Sequence, residues 1–366
     1  MTTRTHKRKS APTPVAATTP APKEDLHWHS PWEPPFRILG LGWEMPAGSL
    51  RRMPLKPAET LPEGVDVQAW HTAGVQIRFR TDAARISVRV KLKGVHGMDH
   101  LTATGQCGID AYIGPTGAMT FAGVTRFSRA ADAYQVTLCA FPTAERRTVT
   151  LNLPLYQGLD DLAIGLPSGC HLAAAPCPPK SRRIVVYGTS ITQGGCASRP
   201  GMAYTNILSR RIDAEFITLG FSGSGRGEPE VARAIATLPP PAVFVMDYEA
   251  NCHAIENLRR TLPVFLAILR RCWPRTQILV VSKVPYAREA YDADARERRL
   301  VNRAFQRQTV ARLRRAGDSR ITFLDGSNLL GRDYTECSVD GAHQTDLGFM
   351  RMANGLEQPL RRLLAR

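Results

Sequence analysis

Long apolar runs are missing from this 366-residue chain: none approaches the ~18 or more residues that a membrane-spanning helix requires. No membrane partner is therefore expected. Paired short cysteine spacings of the zinc-binding kind are missing as well among Cys107, Cys139, Cys170, Cys177, Cys196, Cys252, Cys272 and Cys337. A chain of this size builds a core without a disulfide framework, so most of these cysteines are expected to be buried thiols. No set of His, Cys, Asp and Glu shows metal spacing, and the histidines His27 and His29 near the start are given no metal role. No Gly-Lys-Ser/Thr follows a glycine-rich stretch as a P-loop would require, and no cofactor is expected.

Acidic residues are few: 32 against 48 basic ones, a formal net charge of +16. The excess is scattered over Arg4, Lys7, Arg8 and Lys9, over the stretch from Arg296 to Arg315, and over Arg361 and Arg362. Arginine far outnumbers lysine, and neither an RNA-stacking nor a zinc-finger pattern accompanies it. No nucleic-acid partner is expected. The N-terminus also lacks a continuous apolar segment, Ala11 to Pro22 being mostly Ala, Pro and Thr, which argues against a secretory signal. The absence of acids before Glu24 is transit-peptide-like, but the prolines and near absence of Leu spoil an amphipathic helix. A cytoplasmic location is the expectation.

What is present divides the chain. Residues 1–30, rich in Thr, Pro, Ala and Lys, have the composition of a disordered tail, with order expected from about Trp32 to Ile38. Residues 31–173 show a period of two: Val75, Ile77 and Phe79, then Ile86, Val88, Val90 and Leu92, later Val149, Leu151 and Leu153, separated by turn clusters such as Gly114-Pro115-Thr116-Gly117. This predicts an antiparallel β-sandwich of jelly-roll type. Residues 174–181, with three prolines, read as a linker. Residues 182–366 alternate apolar strands near 184–187, 216–219, 242–246, 278–282 and 321–324 with helices near 202–213, 229–237, 257–272, 294–315 and 346–365. Five strands with intervening helices predict a three-layer α/β domain around a parallel sheet, whose sites form beyond the carboxyl ends of the strands.

The candidate residues fall at those ends. Ser190, in Gly188-Thr189-Ser190-Ile191-Thr192-Gln193-Gly194, follows the first strand and is the candidate nucleophile. The alternative is that Ser190 or Thr189 merely caps the following helix. Asp340-Gly341-Ala342-His343 supplies a candidate base, His343, and a carboxylate, Asp340, to orient it. An imidazole titrates near ~6.5 in water, which suits proton exchange near neutrality. Gly220 to Gly227 is a glycine-rich turn whose N–H groups can meet an oxyanion; Gly223, beside the Ser190 amide, is the preferred donor, with Asn251 as a side-chain donor. Arg226 is a candidate clamp for an anionic part of a substrate. His253, near Glu249 and Glu256, is the rival base.

Taken together these residues resemble the SGNH/GDSL hydrolase family, whose four blocks supply Ser, Gly, Asn and His, here Ser190, Gly223, Asn251 and His343. Asp340 stands where the family's Asp-x-x-His has its acid. Thr189 replaces the Asp of the name-giving motif, the third block reads Asp247-Tyr248-Glu249-Ala250-Asn251, and Gln344 follows His343 where proline is frequent. The resemblance covers residues 181–366 and implies a flavodoxin-like catalytic domain and serine esterase chemistry. A preceding β-sandwich is similar to that of carbohydrate O-deacetylases and of acyl-processing enzymes of natural-product pathways. The leading expectation is hydrolysis of short O-acyl esters of a carbohydrate or other small polar molecule. An acyltransferase is the alternative within the same chemistry. A non-catalytic glycan-binding protein, using Trp43, Trp70, Tyr112 or Tyr134, is the alternative outside it.

Overall fold

The computed structural model describes residues 25–366. The expected disordered tail thus lies largely outside the described residues, and where it overlaps them the structure differs. Leu26–His29 (β1) is already a strand, antiparallel to Leu159–Pro167 (β9 below) with Trp28 opposite Gly165. The indole explains the early start. It covers Gly165, where an added Cβ would lie 2.9 Å from its ring, and the Arg89 guanidinium stacks on it at 4.9 Å.

In chain order, the first half continues with β2 (Arg37–Leu39), α1 (Glu63–Gln68), β3 (Gln76–Thr81), β4 (Arg85–Leu92), α2 (Ala103–Gln106), β5 (Asp110–Ile113), β6 (Thr120–Val124), β7 (Ala133–Ala140), β8 (Arg147–Asn152), β9 (Leu159–Pro167) and β10 (Leu172–Ala173). The strands form two antiparallel sheets, one ordered β1-β9-β4-β7 and the other β10-β3-β8-β5-β6 with β2 beside β3. The apolar positions that alternate in sequence, from Val75, Ile77 and Phe79 to Val149 and Leu151, meet Ile86, Val88 and Val90 in one core between the sheets. The polar positions between them are not all solvated. Gln76 is buried, and its amide donates to Asn152 Oδ1 and to Ser209 Oγ in the second half of the chain.

The second half carries β11 (Ile184–Gly188), α3 (Ser190–Gln193), α4 (Tyr204–Arg211), β12 (Phe216–Gly220), α5 (Pro229–Ile235), β13 (Val243–Asp247), α6 (Ile255–Cys272), β14 (Gln277–Val281), α7 (Ala293–Arg315), β15 (Ile321–Leu324) and α8 (Asp346–Leu364). All five strands are parallel, in the order β12-β11-β13-β14-β15. This is the expected α/β architecture. β11 shows why three layers form: Ile184 and Val186 pack with α4 and α8, whereas Val185 and Tyr187 pack with α5 and α6. The chain turns outward from β11 in one direction to β12 and in the other to β13, so the end of β11 is the point where the strand order reverses and a crevice opens.

Residues expected to belong wholly to the sandwich also build the second core. Met53, Leu61, Val65 and Ala69 pack against Val185, Ile217 and Leu219, and Ala73, Leu155 and Tyr156 pack against the other side of the same sheet. Polar groups join the halves too. Asp110 on β5, fully buried, accepts from Asn152 Nδ2 at 2.7 Å, from Arg199 Nη1 at 2.8 Å and from the Gly201 N–H at 2.7 Å. Arg199→Ala should therefore leave this carboxylate without its cation and lower the unfolding free energy by about 3–5 kcal/mol, measured by urea denaturation. A loss within ~0.5 kcal/mol would mean the pair is not needed to hold the halves together.

Candidate active site

Ser190 sits at the first helical position after the central strand. The cap of α3 is Thr189, whose Oγ1 accepts from the Ile191 N–H, so the Ser190 hydroxyl is not used for capping. Instead it lies 2.8 Å from His343 Nε2. The opposite ring nitrogen, Nδ1, is 2.6 Å from Asp340 Oδ2, while Asp340 Oδ1 accepts from the backbone N–H groups of His343 at 2.8 Å and Ala342 at 3.0 Å. The Asp-x-x-His spacing thus closes a loop in which one carboxylate binds both the backbone and the ring of the same histidine. Partial burial would raise the Asp340 pKa, but these hydrogen bonds and the ring's charge outweigh it and hold the carboxyl at about 2. The loop is fixed by Val339 N–H to His343 O and by Ala287 N–H to Gly341 O, both 2.8 Å.

The glycine-rich turn after β12 folds over the end of β11. Gly225 allows the close approach, since a Cβ there would lie 2.1 Å from the Gly188 carbonyl oxygen. Gly223 has φ +66° and open space where a Cβ would stand. Among the described residues neither the Gly223 N–H nor the Ser190 N–H has a hydrogen-bond partner, so two donors are left at the rim of one turn and the start of α3. Asn251 reaches the same turn. Its Nδ2 donates to Phe221 O at 3.3 Å and to Gly225 O at 3.1 Å, so in this arrangement it braces the turn rather than facing the Ser190 side with a free N–H. Arg226 is exposed and also serves the turn, its Nε donating to Gly223 O at 2.8 Å.

The remaining candidates go elsewhere. His253 is exposed and lines a cavity of about 380 Å³ between the start of α6 and α7, apart from Ser190. Glu249 is buried, accepting from the Lys283 N–H and Gln306 Nε2, both at 2.6 Å, and Glu256 lies in the first turn of α6. Of the aromatic candidates, Tyr112 and Tyr134 are buried in the first half, and Trp43 donates to Thr237 Oγ1 at 2.9 Å. Trp70 carries the Arg51 and Lys93 cations, each 5.1 Å from its ring centre.

Several supporting residues were not anticipated, because they come from distant parts of the chain. Tyr156 Oη donates to the Ser190 carbonyl at 3.0 Å. Gln68 grips Ser222 from both sides, Oε1 accepting from its N–H at 2.5 Å and Nε2 donating to its carbonyl at 2.7 Å. Gln193 Oε1 accepts from the same N–H at 3.1 Å. Arg52 is fully buried and has no carboxylate partner among the described residues. Its guanidinium donates to the carbonyls of Gln68, His71, Thr218 and Gly220, which ties the first half to the end of β12. Burial lowers its pKa to about 9, so it remains a cation near neutrality. The Gln193 motif was visible in sequence; nothing there tied it to Ser222 or His71.

Both halves of the chain match known families. Residues 181–361 match the GDSL-like lipase/acylhydrolase family, and residues 26–172 match the N-terminal region of SGNH hydrolase-type esterases. A protein of Bacteroides ovatus ATCC 8483 assigned as a GDSL-like lipase is 30% identical, with 93% of this chain and 98% of that one covered at a TM-score of 0.85. The chain belongs to the GDSL-like lipase/acylhydrolase family and is an ester-hydrolysing enzyme of the SGNH type. The same overall fold recurs in the salicylyl-acyltransferase SsfX3 of a tetracycline biosynthetic pathway (21% identity, 92% and 97% covered, TM-score 0.74). It recurs again in a family two carbohydrate esterase of Cellvibrio japonicus (14% identity, 93% and 99% covered, TM-score 0.59). No curated protein sequence matches the chain significantly. Among the described residues no helix is long and apolar enough to cross a membrane.

His71, which lies beneath this site, gives the structure a pH dependence of its own. Gln193 Nε2 donates to its Nδ1 at 3.0 Å, since the amide's oxygen is committed to Ser222. Burial first, then the Arg52 charge, lowers the His71 pKa to about 4. The unfolded chain protonates this imidazole below ~6.5 while the folded one does not, so stability is lost as pH falls from about 6.5 to about 4, by up to ~3 kcal/mol. Urea midpoints measured across that window should fall more steeply for the wild type than for His71→Asn. Parallel curves would show that His71 is not the group responsible.

Proposed function

We propose that the protein hydrolyses short O-acyl esters, of the acetyl type, carried by a carbohydrate or another small polar molecule. The hydrogen-bonded chain Ser190 Oγ, His343 Nε2, His343 Nδ1, Asp340 Oδ2 supports this reading most directly. Ser190 attacks the ester carbonyl as His343 takes its proton, and the imidazolium, held by Asp340, returns that proton to the leaving alcohol. Water then attacks the acyl-enzyme with His343 again as base, releasing the acid and restoring Ser190. The oxyanion accepts from the Ser190 and Gly223 N–H groups. Asn251 completes the hole when that oxygen displaces the Gly225 carbonyl from one of its N–H groups.

Close packing around Ser190 continues at Gly195, where a Cβ would lie 2.7 Å from Tyr156 Oη, 3.2 Å from the Ser190 carbonyl and 3.3 Å from the His343 ring, whereas the space over Gly223 is open. A polar alcohol is supported by the exposed Arg226 on the turn that carries Gly223 and by the fold shared with carbohydrate esterases. The acyltransferase reading keeps the same acyl-enzyme and replaces water by an acceptor alcohol. It is favoured by the greater likeness in fold to SsfX3 than to the carbohydrate esterase.

Acetylated oligosaccharides and aryl esters of increasing chain length, assayed for released acid, decide between these. The expected result is highest kcat/KM for acetyl, with Ser190→Ala inactive though folded. Acyl transfer to an added alcohol at the expense of acid would replace hydrolase by transferase, and a fully active Ser190→Ala would remove the mechanism. Asp340→Asn should lower kcat by roughly 10²–10⁴ while leaving the fold intact, because the amide can still accept from the two N–H groups but no longer selects the imidazole tautomer. Since Asp340 stays ionised down to about pH 2, acidification should remove activity in one step before this carboxylate takes up a proton. Unchanged turnover in Asp340→Asn would deny it the orienting role.

A further inference from the structure

A second imidazole and a thiol converge on the His343 ring. His100, in the loop before α2, has its ring centre 5.6 Å from that of His343, the planes inclined by 39°. Cys196 follows the glycine pair after α3 and is 6% exposed. Its φ of +73° makes it the one non-glycine residue with positive φ among the described residues, a conformation that persists only where the surroundings impose it. One ligand atom from each of His100, Cys196 and His343 lies within 4.8 Å of the other two. The three come from positions 100, 196 and 343, so no short sequence spacing links them.

The hydrogen bonds decide which atoms face the centre. His343 Nδ1 is engaged by Asp340 Oδ2 at 2.6 Å, and His100 Nδ1 by Asp99 Oδ1 at 3.2 Å. That leaves Nε2 of each ring to face the cluster, His343 Nε2 in exchange for its 2.8 Å bond to Ser190 Oγ, with a carboxylate behind each imidazole, the arrangement that orients metal-binding histidines. Two imidazoles and a thiol form a donor set suited to Zn²⁺, which takes nitrogen at about 2.0–2.1 Å and sulfur at about 2.3 Å in a tetrahedral shell. The three ligand atoms stand within 4.8 Å of one another, and the Ser190 hydroxyl, 2.8 Å from His343 Nε2, lies beside them.

We propose that His100 Nε2, Cys196 Sγ and His343 Nε2 bind a zinc ion that reversibly switches the enzyme off. Binding releases the Cys196 thiol proton to solvent and engages the His343 lone pair that otherwise accepts the Ser190 proton. No oxidation or reduction is involved. Only the inhibitory part rests on the serine mechanism above; the binding site stands on its own.

Chelator-treated enzyme should take up one Co²⁺, used as a spectroscopic substitute, with a thiolate-to-cobalt absorption in the near ultraviolet. Zn²⁺ should displace it and abolish ester hydrolysis, and chelator should restore the activity. Cys196→Ser should lose the absorption, need at least tenfold more Zn²⁺ for inhibition, and keep wild-type turnover without metal. His100→Gln should likewise weaken Zn²⁺ binding at least tenfold, with folding of both variants checked by circular dichroism. Retention of the band in Cys196→Ser, or equal zinc sensitivity in both variants and the wild type, would overturn the site. Binding that leaves hydrolysis intact would overturn the switch. Metal-free enzyme that hydrolyses no ester would instead refute the serine mechanism, and the cobalt spectrum would still decide the site.

Discussion

The hydrogen bond between Ser190 Oγ and His343 Nε2 closes the whole second half of the chain. It joins the end of the central strand β11 to a loop that precedes the last helix, so the 2.8 Å contact ties together two points 153 residues apart. The strand order makes this possible: β11 lies between β12 and β13, and the crevice at its carboxyl end receives the turn after β12, the segment after β13 and the C-terminal loop together. The Asp340 loop then fixes the imidazole from behind, through backbone N–H groups as well as the ring, so the ring is held by local geometry rather than by deep burial.

The first half of the chain is more than an appended sandwich. Arg52, Gln68 and Tyr156 hold, respectively, the carbonyls at the end of β12, both backbone groups of Ser222, and the Ser190 carbonyl. A cation solvated wholly by main-chain oxygens has no salt-bridge partner to relieve its burial, so its position is dictated by the carbonyls around it. The unpartnered N–H groups of Ser190 and Gly223 are thereby set in place by residues 34 to 168 positions away in the chain from the groups they hold. The stretch around Met53 to Ala69 packs into the core of the α/β sheet for the same reason: it must deliver Arg52 and Gln68 to the turn.

The strands and helices of the second half were legible because fully buried parallel strands are short apolar runs and their helices are long and periodic. The meeting of Ser190, His343 and Asp340 was legible because a glycine-flanked serine and an Asp-x-x-His are both local motifs. Three things were not legible. The strand at Leu26–His29 depends on a cover for Gly165, far along the chain. The orientation of Asn251 depends on the Phe221 and Gly225 carbonyls that a turn some 30 residues earlier presents to it. The gathering of His100 and Cys196 at His343 depends on folding alone. In each case the deciding contact is long-range, and nothing in the local residue types encodes it.

An active-site phosphonate probe, with the adduct located by peptide mass spectrometry, tests the central claim most directly. The account predicts labelling confined to Ser190 in the wild type and none in Ser190→Ala. Labelling at another residue, or none in a folded wild-type protein, would contradict the assignment of Ser190 and His343 as a working nucleophile and base.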